Sequence, residues 1–264
     1  MKRWAKLVPV FMLSTLAGVL QAATYTIAVQ PILPEERLQQ VYQPLADYLS
    51  AQTGETFSIK TFRNFVTYWE RMKRQDGFDF VLDAAHFTDW RVKRKGYHVL
   101  ARLPGTVSFS LVTNDDNFVF EPEELILKKI ATMPSPGLGA IRLNEMYPNP
   151  MRLPVFVQSR DSDDAARRAE TGRTEAAIIP TPLVARYDKL NLVVTTEPVP
   201  HMGFSASPDI PPALRQKVQQ ALVSASQTAA GKSMLDKLNI EAFIAADAAA
   251  YDGYGELLQD VFGY

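Results

Sequence analysis

Cysteine is absent from all 264 positions. No disulfide can brace the fold, and no thiolate is present as nucleophile, metal ligand or lipid acceptor. Histidine is scarce too: three copies, far apart and without cysteine, do not make a structural zinc site. Positive charge is not in excess, since 28 Lys and Arg stand against 29 Asp and Glu. That balance argues against a nucleic-acid partner, which needs a basic face. No Gly-x-Ser-x-Gly elbow occurs, and Gly231-Lys232-Ser233 lacks the earlier glycine of a phosphate-binding loop. Catalysis, a metal and a cofactor therefore have no positive signature here. The longest apolar run, LVPVFMLSTLAGVL, is about 14 residues, short of the roughly 20 that span a bilayer.

What is present begins with that run. Lys2, Arg3 and Lys6 precede it and Gln21-Ala22-Ala23 follows, the order of a secretory signal peptide. Residues 1–22 are expected to be removed, with Ala23 as an alternative cleavage point. Losing three basic groups leaves the exported chain acidic by four charges. Without cysteine it carries no lipid anchor, so a soluble periplasmic protein is expected. Its length suffices to bury a core without staples.

The remainder alternates strand-like and helix-like patterns. YTIAVQ (25–30) and TFSIKTF (56–62) flank a helix that places Leu38, Val41, Leu45 and Leu49 on one face and ends at Gly54. Pro44 inside it predicts a kink or two abutting pieces. A helix capped by Asn64, the strand FDFVLDA (78–84), a helix near HFTDW and the strand YHVLARL (97–103) follow. GTVSFSLVTN reads as one long strand. Then come KKIATM, a helix opened by Ser135-Pro136-Gly137-Leu138, RLPVFVQ, a helix near 161–171, EAAIIP, a helix near 181–188 and LNLVVTTE. The tail is helical, with Leu214, Val218, Leu222 and Ala225 on one face. Such alternation indicates an α/β fold with mostly parallel sheets and helices on both faces. Two series joined by long strands predict two lobes, 23–108 plus 197–264 and 109–196. SFSLVT and VVTTEP are the expected crossovers.

Ligands of open α/β sheets sit outside the carboxyl ends of strands, which selects the candidate site residues. Ser135 reads as a helix N-cap, with the Gly137 and Leu138 amides behind it able to hold an oxyanion. Gln30 ends the first strand, Arg63 and Asn64 the second, and Asp83, His86 and Phe87 the third. His86 is a candidate donor, Phe87 an apolar wall, and Arg63 a carboxylate- or phosphate-binding fork. Arg160 and Thr181 follow later strands. His201 is assigned to packing near the hinge, and RVKRK (91–95) to a solvated helix end.

IAVQPILPEERLQQVYQPLADYLSAQTGETFSIKTF, RNFVTYWERMKRQDGFDFVLDAAHF and TGRTEAAIIPTPLVARY resemble successive blocks of the phosphonate-type substrate-binding proteins of ABC transporters. The resemblance spans nearly all of residues 24–240. It implies a type II periplasmic-binding-protein fold, with a two-strand hinge and a ligand enclosed between lobes. The loop that in the family reads close to Ser-Thr-Ser-Gly is here Pro134-Ser135-Pro136-Gly137, and Arg160 stands near a family histidine. The resemblance thus implies a monomeric receptor that hands a small anion to a membrane permease. Phosphonate, phosphite, sulfonate, a sulfur oxyanion and carboxylate all stay open as ligands. The alternative is a sensing module for a histidine kinase or similar receptor.

Overall fold

A computed structural model describes residues 23–74, 78–261 and 263–264. The expected signal peptide lies outside the described residues. Among those described, no helix is long and apolar enough to cross a membrane.

The first series comprises β1 (Thr24–Val29), α1 (Glu35–Thr53), β2 (Thr56–Lys60), α2 (Phe65–Lys73), β3 (Phe80–Asp83), α3 (Ala85–Lys95) and β4 (His98–Arg102). The chain then forms β5 (Thr106–Val107), β6 (Phe109–Asn114), β7 (Lys129–Thr132), α4 (Leu138–Glu145), β8 (Val155–Gln158) and α5 (Ser162–Glu170). After β9 (Ala176–Pro180), α6 (Thr181–Val184) and β10 (Leu190–Thr195), it returns through β11 (Val199–Pro200) and β12 (Gly203–Ala206). The tail holds α7 (Pro212–Val223), α8 (Ala229–Leu238), β13 (Ile244–Ala245) and three short 3-10 turns.

Two mixed sheets result. The first runs β13-β4-β12-β3-β1-β2 and the second β10-β6-β9-β7-β8. Each has a parallel part, β2-β1-β3 and β8-β7-β9, extended by antiparallel strands. Between them, β5 and β11 pair with each other as a two-stranded ladder. SFSLVT lies mostly within β6 and the first half of VVTTEP within β10, and the crossing falls just beside them, at β5 and β11. GTVSFSLVTN is accordingly two strands, broken where the chain leaves the ladder to join the second sheet.

Strand alternation decides which helices cover which face. Ile27, Val29, Phe80 and Leu82 point into the core beneath α1, α7 and α8. Ala28 and Val81 point the other way, into the core of Phe65, Tyr68, Trp69 and Phe87 from α2 and α3. This apolar burial carries α1 as one continuous helix across Pro44, so it is not divided into two abutting pieces. The central strand β12 was not legible from the tail's helical pattern, although all four of its residues are buried. From the second sheet, α4 reaches over to the first: Ile141 joins the α2–α3 core, and Leu138 packs among Ala85, Val99, Val199 and Tyr251.

Candidate functional site

A cavity of about 310 Å3 lies between the sheets. Gln30 and Ala84, just past β1 and β3, supply one side, and Thr132 and Pro180, ending β7 and β9, the other. Thr106, Val107 and His201 close the end near the β5–β11 ladder. Ile32, Phe65, Phe109, Met133, Ile178 and Met202 make much of the wall apolar. Among the described residues, no Asp, Glu, Lys or Arg lines it.

Leu138 and Gly139 bring the start of α4 to the cavity. The first amide to bond within the helix is that of Ile141, which donates to Gly137 O at 3.2 Å. The amides of Leu138, Gly139 and Ala140 therefore have no partner along the helix, at its electropositive end. The cap is Gly137 and not Ser135, and no side chain caps the helix. The reason is a tight turn: Gly137 N donates to Pro134 O at 3.0 Å, which occupies the Gly137 amide and leaves Ser135 exposed at its corner. Ser135 is not among the cavity's lining residues.

Other expected residues divide between several roles. Gln30 lines the cavity, its Oε1 accepting from Ala84 N at 3.1 Å. Asn64 caps α2 through Thr67 N at 2.9 Å. Arg63, Asn64 and Arg160 line an adjoining cleft of about 240 Å3, apart from the main cavity. The exposed Arg160 pairs with Asp164 at 3.6 Å. Thr181 accepts from Ser108 Oγ at 2.8 Å and Ser110 Oγ at 3.0 Å, a knot joining β6 to α6.

Asp83 and Phe87 are not on the cavity wall. Both are fully buried. Phe87 lies behind the lining ring of Phe65, with centroids 6.1 Å apart. Asp83 shares the strand face of Val81, so its carboxyl points beneath α2 and α3. There Arg91 grips it with both guanidinium nitrogens, Nη2 at 2.6 Å, while Tyr68 Oη and Thr88 Oγ1 also donate. Burial, then the charge of Asp83, pushes the Tyr68 phenol well above its ordinary value, so it remains a donor. Arg91 is thus 1 % exposed, and only the later residues of RVKRK form the solvated end.

His86 is completely buried, with Nε2 3.0 Å from Pro136 O. A carbonyl only accepts, so Nε2 carries the proton and Nδ1 does not. Burial pushes the imidazole down to about 4, and Nδ1 has no hydrogen-bond partner. His86 therefore joins the two sheets, without lining the cavity. His201 lines it instead, although near the hinge as expected.

The chain matches the family model described as "ABC transporter, phosphonate, periplasmic substrate-binding protein" over residues 27–251. It belongs to that family. The protein is thus a binding component of a transporter and not an enzyme. Among solved structures, PhnD1 from Prochlorococcus marinus in complex with methylphosphonate is similar at TM-score 0.76 and 14% identity, covering 89% of this chain and 97% of that one. A binding-protein component of an ABC phosphonate transporter from Pseudomonas aeruginosa is similar at 0.73 and 14% identity, over 90% and 85% of the two chains. A Xanthomonas citri protein bound to ATP gives 0.70 at 13% identity, over 89% and 96%. These likenesses establish the shared fold. No curated protein matches the chain by sequence.

In this substrate-binding protein Gln30 and His201 bring N–H donors to the cavity. Gln30 has its Oε1 occupied and its amide NH2 to offer. His201 Nδ1 accepts from Met202 N at 2.8 Å, leaving Nε2 to carry the ring proton. Burial, with the nearby Arg102 charge second, lowers the His201 imidazole and keeps it neutral. Gly139, Ile178 and Met202 gave no sequence signal beyond lying next to a strand or helix end.

Proposed function

We propose that the protein captures a small oxyanion between two lobes, 23–108 plus 197–264 and 109–196, and delivers it as a monomer to its membrane permease. The observation supporting this most is the placement of the first turn of α4, whose amides have no helical partner, at a cavity that no carboxylate among the described residues lines. Backbone amides at a helix N-terminus bind anions without a neighbouring cation. Leu138 and Gly139 are assigned to the anion, with Gln30, Thr132 and Ser162 around it. Methylphosphonate, the ligand of the PhnD1 relative, is the first compound to test. Lobe closure about β5 and β11 is expected to trap the ligand, because closure completes contacts that neither lobe makes alone.

Titration calorimetry on the exported form, with methylphosphonate, phosphite, sulfonates, sulfate and carboxylates, tests the reading. Saturable binding of at least one, with compaction in small-angle scattering, supports it. No binding by any of these anions would overturn it.

A further inference from the structure

We propose that the ligand joins its oxyanion to an uncharged, apolar body lying toward the β5–β11 end of the cavity, and that an ammonium on that body is rejected. The inference rests on the oxyanion reading above and specifies the other end of the ligand.

The polarity of the wall carries it. Beyond the α4 amides, the cavity continues past Phe109, Ile178, Met202 and Val107 to the ladder. None of these side chains carries a charge or an oxygen to replace the water an ammonium would lose. The polar neighbours do not supply the deficit. Gln30 Oε1 accepts from Ala84 N and His201 Nδ1 from Met202 N, so the neutral His201 ring offers only a donor and Gln30 only an uncharged amide. Thr132 Oγ1 donates to Met133 O at 3.0 Å, which leaves a neutral hydroxyl acceptor on the side assigned to the oxyanion and supplies no counter-charge. The carboxyl at the end of β3, Asp83, is enclosed by Arg91, Tyr68 and Thr88 in the core that holds Phe65 and Phe87. An ammonium here would be desolvated without a counter-charge, whereas an alkyl group would gain from burial.

Isosteric pairs test this on the exported protein by calorimetry. The pairs are n-propylphosphonate with 2-aminoethylphosphonate, propane-1-sulfonate with 2-aminoethanesulfonate, and butanoate with β-alanine. For whichever head group binds, the alkyl member is expected to bind at least about 100-fold more tightly. Extending methylphosphonate to propylphosphonate should gain about fourfold per methylene. Thr106→Asp, an exposed ladder residue on the wall, should narrow the gap within a pair at least about tenfold by supplying a carboxylate. An amino member binding as tightly as its alkyl partner overturns the inference and leaves the oxyanion reading standing. An unchanged gap in Thr106→Asp overturns the placement of the body at the ladder. Binding of none of the six overturns the inference, and the oxyanion reading falls with it only if methylphosphonate, phosphite and sulfate also fail to bind.

Discussion

His86 Nε2 lies 3.0 Å from the carbonyl oxygen of Pro136, linking the start of α3 in one sheet's layer to the turn before α4 in the other's. The ring is wholly buried, and Asp83, Arg142 and Arg91 are the charged groups that act on it. Each prediction below follows from a contact of this kind.

The first concerns pH. Burial lowers His86 from 6.5 to about 4, so the buried arrangement binds fewer protons than an exposed ring. Its contribution is complete above pH 6.5 and declines as pH falls toward 4. By pH 5 the loss should reach roughly 2 kcal/mol. Thermal melts from pH 7.5 to 4.5 should show a step in the parent that His86→Gln, which keeps a donor, removes. An identical pH profile in both proteins would remove His86 from the account.

Asp83 and Arg91 form a buried pair, at 0% and 1 % exposure. Asp83→Asn strands a guanidinium in the core and should cost about 3–5 kcal/mol in urea unfolding. Ligand affinity at a temperature where the variant is folded should hardly change. A variant that unfolds like the parent but loses binding would restore Asp83 to the ligand site.

Gly139 has a cavity wall on one side and the Phe109 ring on the other, 3.0 Å from where a Cβ would stand. Gly139→Val should crowd both and weaken binding at least about tenfold, some 1.4 kcal/mol. Ser135→Ala, at the exposed turn corner, should leave affinity and melting within about 0.5 kcal/mol of the parent. Calorimetry on the two variants decides whether the helix start or the preceding turn contacts ligand.

The N-terminus gives a fourth test. Ala23 N donates to Glu55 Oε2 at 2.7 Å, so cleavage after Ala22 would place the new ammonium on that carboxylate. Intact mass of periplasmic protein should match a start at Ala23 or Thr24 with no lipid. A retained Met1 in the membrane fraction refutes export by cleavage.

The chain's own pattern determined a good deal. Period-2 and helical spacing mark β1, α1, β2, α2, β3 and α3 in order, because each buries a continuous apolar face against its immediate neighbour. Asn64 was legible as a cap because capping is local, reaching three residues ahead to Thr67. Gln30 was legible as a cavity residue because it follows a strand whose carboxyl end borders the space between the sheets.

Only the tertiary structure decided the rest, because these features depend on groups distant in sequence. Asp83 reads as a strand-end carboxylate until α2 and α3 fold over it and Arg91, eight residues on, neutralises it. His86 reads as a ligand donor until Pro136, fifty residues away, takes its proton in a hydrogen bond. Ser135 reads as a cap until the Gly137 amide turns back to Pro134. The strand β12 is central because β3 and β4 leave a gap that the returning chain fills, a demand of the sheet and not of its own four residues. The cavity likewise has no local signature, since its wall is assembled from the ends of strands in two sheets.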